Sequence, residues 1–341
     1  MVPEQPQRVL IVRLSAIGDV VFASPLIGAL QRTWPGVVVD WLVEPQAAPL
    51  LQHHSGLGRV VVWPKKQWLE RWQKRQWRGL WADIRAFREH LREVEYDVVL
   101  DVQGLLKSSV LTRLAKAQRR IGLDSGERTH WLLDEVYPKS PDVSRIGSEY
   151  FGLAQQLGLA VDDFAMDIAL SSEARQRAQA LAAEGAYWVV CPFTTRPQKH
   201  WREGAWVMFI EQQHALGRRI VVLGGPGDIA AAQPFINAGA TSLVGELSLL
   251  ESAAVISEAQ GLVGVDTGLT HMGIAFGIPT VAIFGSTCPY TDTTRANARV
   301  IFSQLDCAPC GRRPTCGGRF DCMVAISVEQ VTEALEQVSA V

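Results

Sequence analysis

Runs of β-branched and other apolar residues recur along the chain, and between them apolar positions return every three or four residues. The first half carries RVLIVRL (8–14), VVVDWLV (37–43), RVVVW (59–63), YDVVLDV (96–102) and RRIGL (119–123). The second half repeats the rhythm with AYWVVCPF (186–193), RRIVVLGG (218–225), TSLVG (241–245), GLVGVD (261–266) and PTVAIFG (279–285). Near-continuous Val/Ile/Leu runs predict strands buried on both faces, and the helical period between them, as from Val20 to Leu30, predicts the helices that cover them. The expected class is therefore α/β with parallel sheets. Residues 140 to 185 hold no clear parallel strand and include KSPDVS and SSEARQRAQALAAEG. A boundary near residue 165 follows, with one Rossmann-like domain over 1–165 and a second over 166–341, their sheets facing a central cleft.

Composition narrows the function. A chain of 341 residues is long for a single core, which agrees with two domains. Its 48% apolar and 20% charged residues exclude a disordered chain. A formal net charge of -2 gives no global attraction to nucleic acid, so an anionic partner has to be met by a local patch. No apolar stretch approaches the ~20 residues that span a bilayer. The opening MVPEQPQRVL lacks a basic-then-apolar leader layout, so the expected location is the cytoplasm.

Ligands of open α/β sheets sit beyond the carboxyl ends of strands, so candidate chemistry is sought there. Ser15-Ala16-Ile17-Gly18-Asp19 follows the first strand. It reads as a tight turn with Asp19 capping a helix, or as a carboxylate presented for catalysis at a helix N-terminus. Its spacing is not the dinucleotide G-x-G-x-x-G pattern. Thr194, Thr195 and Lys199, in TTRPQKHW, suit a phosphate group, although the loop taken alone reads first as a capping loop with a solvent-facing lysine. Asp266-Thr267-Gly268-Leu269-Thr270-His271 adds two hydroxyls able to donate to phosphate oxygens. It also adds a histidine in the first helical turns, where the dipole disfavours the charged ring. Gly224-Gly225-Pro226-Gly227-Asp228 ends another strand with a carboxylate that suits ribose hydroxyls or a capped turn.

Taken in order, RLSAIGDVVFASPLIGAL, YDVVLDVQGLLKSS, TTRPQKHW and VDTGLTHMGIAFGIPTVAIFGST resemble the lipopolysaccharide heptosyltransferases of glycosyltransferase family 9, most of all its heptosyltransferase I branch. The resemblance covers nearly the whole chain. It implies a GT-B architecture, with the acceptor on the N-terminal domain and ADP-heptose on the C-terminal one. Position by position, it makes Asp19 the general base, with Ser15 and Gly18 beside it on the acceptor side. It places Lys199 on the donor diphosphate with Thr194 and Thr195, and makes Asp266, Thr267, Gly268 and His271 the D-T-G-x-x-H donor motif. Asp228 stands where heptosyltransferase I has a glutamate near the nucleoside.

The implied reaction is inverting transfer of L-glycero-D-manno-heptose from ADP-heptose to Kdo of the inner core, carried on lipid A at the cytoplasmic face of the inner membrane. No cofactor is needed for it. Rival readings are transfer to a later core sugar or from another nucleotide sugar, a non-catalytic nucleotide-sugar module, and a nucleotide-sugar epimerase.

Two features stand apart. KKQWLERWQKRQWRGLWADIRAFREH (65–90) pairs Trp68 with Trp72 and Trp77 with Trp81 at helical spacing. It reads as an amphipathic helix, or as a basic, aromatic surface for the phosphates and carboxylates of the acceptor at the membrane. Arg71, Lys74, Arg75 and Arg78 are the candidates, with Arg119 or Arg120 added from a strand. Of the six cysteines, Cys191 and Cys288 stand alone, while Cys307, Cys310, Cys316 and Cys322 fall within sixteen residues. These four could close a structural zinc or iron site, or remain reduced thiols in a loop.

Overall fold

The computed structural model describes residues 5–311 and 313–341; residues 1–4, on which part of the reading of the N-terminus falls, and Arg312 lie outside the described residues. The chain forms two compact units, Met1–Asp142 with Gly147–Ala169, and Val143–Ile146 with Leu170–Val341. The short piece Val143–Ile146 joins the second unit through main-chain bonds, among them Ile146 N–H to the Asp292 carbonyl at 2.8 Å.

In the first unit the strands are β1 (Arg8–Val12), β2 (Val38–Val43), β3 (Leu57–Val62), β4 (Glu95–Asp101), β5 (Lys116–Leu123) and β6 (Glu135–Tyr137). They form one sheet in the order β3-β2-β1-β4-β5-β6, with every neighbouring pair parallel. Helices α1 (Ile17–Ala23), α2 (Pro25–Thr33), α3 (Lys65–Gln73), α4 (Trp77–Leu91), α5 (Leu106–Leu114) and α6 (Ser148–Gln156) accompany it. Val9, Leu10, Ile11 and Val12 of β1 are fully buried because the sheet is covered on both faces. On one side Leu10, Val12, Leu42 and Val99 pack against Phe87, Leu91 and Leu111 of the helices.

The second unit repeats the plan. Its strands are β7 (Tyr187–Cys191), β8 (Arg219–Val222), β9 (Thr241–Ser242), β10 (Gly261–Val265), β11 (Thr280–Phe284) and β12 (Ala298–Phe302), in the order β12-β11-β10-β7-β8-β9 and again all parallel. Its helices are α7 (Ser172–Ala183), α8 (Glu203–Ala215), α9 (Gln233–Asn237), α10 (Leu249–Ser257), α11 (Gly268–Phe276), α12 (Asp321–Val324) and α13 (Val328–Ser339). Both sheets thus have the Rossmann order, in which connections leave the first strand in opposite directions and open a crevice beside it.

The ten apolar runs all become strands, while β6 and β12 lie outside them. Both are edge strands with little full burial, EVY and ARVIF, so the double-sided apolar signal is missing. The tryptophan-rich stretch is two helices, α3 and α4, broken at Lys74–Gln76, where Arg75 takes a left-handed φ of 54°.

Candidate active site

The order of the first sheet reverses between β1 and β4, and the loops leaving these two strands carry the polar residues of the first unit. Beyond β1, Asp19 lies in the first turn of α1. Its Oδ2 accepts the Ala16 N–H at 3.0 Å and faces the Arg13 guanidinium at 2.5 Å. Arg13 is buried, donates to the Val102 carbonyl at 3.3 Å and lies over the Tyr150 ring at 5.7 Å. Asp19 itself keeps 40% of its side chain exposed. A single oxygen, Oδ2, makes both the Ala16 and the Arg13 contact. Gly18 is buried in the same turn.

At the end of β4, Asp101 is buried and accepts from Ser108, Ser109 and the N–H groups of Gln103 and Gly104. Gly104 has φ +63°, and a Cβ there would lie 2.8 Å from the Leu123 carbonyl oxygen, so the turn requires glycine. This bend starts α5, whose Lys107 reaches Glu44 at 3.0 Å and Ser15 Oγ at 3.3 Å. Lys65 bonds both oxygens of Glu44 at 3.1 Å. Burial opposes the charge of Glu44, but the two ammoniums outweigh it and hold its carboxyl below the usual range.

A group depressed on folding contributes stability above its unfolded pKa and loses it as pH falls through the folded one. Glu44→Gln is thus expected to cost ~1–3 kcal/mol at pH 7, with the difference shrinking below about pH 4. Urea unfolding at the two pH values measures it.

The second sheet reverses between β7 and β10, and the same logic applies. Asp266 follows β10 and gathers four side chains. Lys199 Nζ lies 2.7 Å from Oδ2, His271 Nε2 lies 3.4 Å from Oδ1, and the Thr287 hydroxyl donates to Oδ2. Thr194 from the β7 loop donates to the Asp266 carbonyl at 3.0 Å. Behind them, Tyr290 OH lies 2.8 Å from His271 Nδ1. A Tyr290 hydroxyl donating there leaves the ring N–H on Nε2, toward Asp266. Burial would raise the Asp266 carboxyl, yet His271 and Lys199 hold it well below the usual carboxylate range. Burial and the Asp266 charge push the Tyr290 hydroxyl well above the ordinary phenol value.

Thr267 caps α11 without a side-chain bond to it; its carbonyl accepts the Thr270 N–H at 3.1 Å and the His271 N–H at 3.4 Å, and its hydroxyl bonds none of the first N–H groups. Thr270, read from sequence as a phosphate donor, is instead buried and donates to the Val265 carbonyl at 2.7 Å. Gly264 permits that bond, since a Cβ there would collide with the Thr270 hydroxyl.

Other candidates stand apart from these clusters. Thr195 is exposed on the β7 loop. Asp228 turns back on its own loop, accepting the Gly225 N–H at 2.9 Å. Arg71 is bound to Asp83 and reaches Gln76 at 3.4 Å. Arg119 pairs with Glu135, while Arg120 donates to the Ala115 carbonyl at 3.2 Å and pairs with Asp134 at 3.7 Å. Lys74, Arg75 and Arg78 are exposed.

The four clustered cysteines are thiols: Cys322 is buried, and Cys316 Sγ accepts the Phe320 N–H at 3.3 Å. Among the described residues no group of three or more His, Cys, Asp or Glu is arranged to hold a metal ion. Arg13, Glu44, Lys107, Thr287 and Tyr290 were not singled out by sequence. Lys107 lies in the quoted YDVVLDVQGLLKSS motif, and its place after a buried strand was the available signal.

Two Rossmann-like units, each with charged loops at its sheet reversal, have the architecture of GT-B-like glycosyltransferases. The model of glycosyltransferase family 9 (heptosyltransferase) matches residues 84–319. Lipopolysaccharide heptosyltransferase 1 of Pseudomonas aeruginosa is 32% identical over 314 residues, covering 91% of this chain and 87% of the relative. The namesake of Escherichia coli K12 is 31% identical over 289 residues, 83% and 89% of the two chains. The solved structure of E. coli heptosyltransferase WaaC with ADP-2-deoxy-2-fluoro heptose superposes with a TM-score of 0.74 at 28% identity, over 96% of this chain and 99% of that one. The chain belongs to glycosyltransferase family 9 and is a glycosyltransferase of the lipopolysaccharide heptosyltransferase kind.

Proposed function

We propose that the protein transfers L-glycero-D-manno-heptose from ADP-heptose to Kdo of the lipopolysaccharide inner core, with Asp19 as general base. The observation that carries this reading is the Lys199–Asp266–His271 cluster at the sheet reversal of a family 9 chain. A related enzyme, at 28% identity, has been solved with an ADP-heptose analogue.

In the proposed step the acceptor hydroxyl loses its proton to Asp19 as its oxygen bonds to the anomeric carbon. The bond from that carbon to the diphosphate breaks on the opposite face, so configuration inverts and ADP leaves. An ionised carboxylate is a weak base that is always ready, and its proton transfer comes late, when the attacking hydroxyl has become acidic. Lys199 and the N–H groups opening α11 meet the charge growing on the leaving diphosphate. Thr194, Thr195, Thr267 and Gly268 line its phosphates, Asp228 lies toward the nucleoside, and Ser15 and Gly18 lie toward the acceptor.

A lipid-linked acceptor puts the reaction at the cytoplasmic face of the inner membrane. Among the described residues no helix is long and apolar enough to cross one. ADP release from ADP-heptose, measured with and without Kdo2-lipid A or its deacylated form, tests the reading. Release is expected only with the acceptor. Donor binding without release would assign a different acceptor, and absent donor binding would overturn the donor.

A further inference from the structure

The α3–α4 hairpin carries three exposed tryptophans, a feature that proton abstraction by Asp19 and stabilisation of the leaving diphosphate leave unexplained. Trp68 turns inward and packs edge-on against Trp63 and Phe87, with ring centroids 5.8 and 5.5 Å apart. Trp72, Trp77 and Trp81 do the opposite, with 60%, 45% and 68% of their surface exposed. Trp72 and Trp77 rings stack edge-on at 4.9 Å across the break between the helices, and Trp81 follows Trp77 by one turn. At 100° per residue, Trp77, Arg88, Trp81, Arg85 and Arg78 fall within an arc of about 100° on α4. Leu80, Phe87 and Leu91 face the core from another stripe.

Three large aromatic side chains side by side in water form an apolar patch of a kind that marks an interaction site. Its surroundings are cationic: residues 65–90 hold eight Lys/Arg against three Asp/Glu, in a chain whose net charge is -2. Arg85 is partly offset by Glu89 at 2.8 Å, Lys65 by Glu44 and Arg71 by Asp83.

We propose that this face docks on the surface of an anionic lipid bilayer, with the three indoles at the headgroup level and the arginines on lipid phosphates. Indole combines an apolar body with a polar N–H and settles at that depth, while cations beside it are drawn to anionic headgroups. A second copy of the chain fits less well, because a two-fold contact would set this cationic face against itself. The inference rests on the reading above for the lipid-linked acceptor, but its test needs neither donor nor acceptor.

The full chain is sedimented with vesicles of phosphatidylcholine, with and without phosphatidylglycerol. Binding is expected only to the anionic vesicles, weakened by salt and accompanied by a blue shift of tryptophan emission. The Trp72→Ser/Trp77→Ser/Trp81→Ser variant is expected to bind at least about tenfold more weakly. It should keep its thermal midpoint and its affinity for ADP-heptose, which show that the fold and the donor site are intact. Equal binding by the variant overturns the proposal, as does wild type that ignores anionic vesicles. Light scattering that shows self-association through these tryptophans in place of vesicle binding also overturns it. Vesicle binding without any ADP-heptose turnover would leave the docking surface standing and remove the transfer reading alone.

Discussion

Asp19→Asn is expected to lower transfer from ADP-heptose by about 10²- to 10⁴-fold while leaving the protein folded and the donor bound. The substitution is clean for a geometric reason. The Ala16 N–H and the Arg13 guanidinium both contact Oδ2, so the amide oxygen of Asn can occupy that position and keep both contacts. The amide NH₂ then replaces Oδ1, and a group that accepts a proton becomes one that cannot. Asp19→Ala is a poorer test, because it strips the cap and leaves the buried Arg13 without its carboxylate. The measurement is kcat for ADP release beside donor affinity and thermal midpoint. Full activity in Asp19→Asn would remove Asp19 from the chemistry.

The second large effect is expected at Lys199. Lys199→Met should reduce kcat by about 10²- to 10³-fold, because the group that meets charge on the leaving diphosphate is gone. It should also cost ~3 kcal/mol of stability, since Asp266 is only 11% exposed and loses its nearest cation. His271, Thr287 and the Thr194 loop remain to limit that loss.

The two effects separate in Lys199→Met/Asp266→Asn, where no buried carboxylate is left unpaired: stability returns and turnover does not. The pH dependence has a definite sign. The Asp266 carboxyl is held low in the folded protein, so its pairing contributes above the unfolded pKa of about 3.9 and is lost as pH falls through the folded value. The gap between wild type and Lys199→Met should therefore narrow in acid. Urea unfolding at neutral and acidic pH, together with steady-state kinetics, tests both parts. A double variant that regains turnover would show that Lys199 serves only the fold.

The candidate site was legible in the sequence where its residues are local. Asp19, Lys199, Asp266 and His271 each lie in the loop or first helical turns after a buried strand, where ligands of open α/β sheets are sought. The partners that orient them come from far along the chain. Lys107 is 63 residues from Glu44 and 92 from Ser15, and Tyr290 is 19 from His271. No pattern within one loop announces such pairs. Thr270 shows the converse: it sits in the motif, yet its hydroxyl is committed to Val265, and only the approach allowed by Gly264 explains why. The pairing of Arg71 with Asp83, twelve residues on, was likewise not marked by any motif.

The sequence by itself determined the α/β class, the parallel sheets and the strand ends that carry charge. Burial on two faces demands continuous apolar runs, and a turn into a helix demands small and capping residues. Tertiary structure alone decided which charges meet: Arg13 with Asp19, two lysines on Glu44, and Lys199 with His271 on Asp266. Strand order sets those neighbours, because β1 lies beside β4 and β7 beside β10 only after intervening strands have been placed elsewhere in the sheet. A carboxylate's hold on its proton depends on which cations that order brings within a few ångströms, and distance in space is not written in distance along the chain.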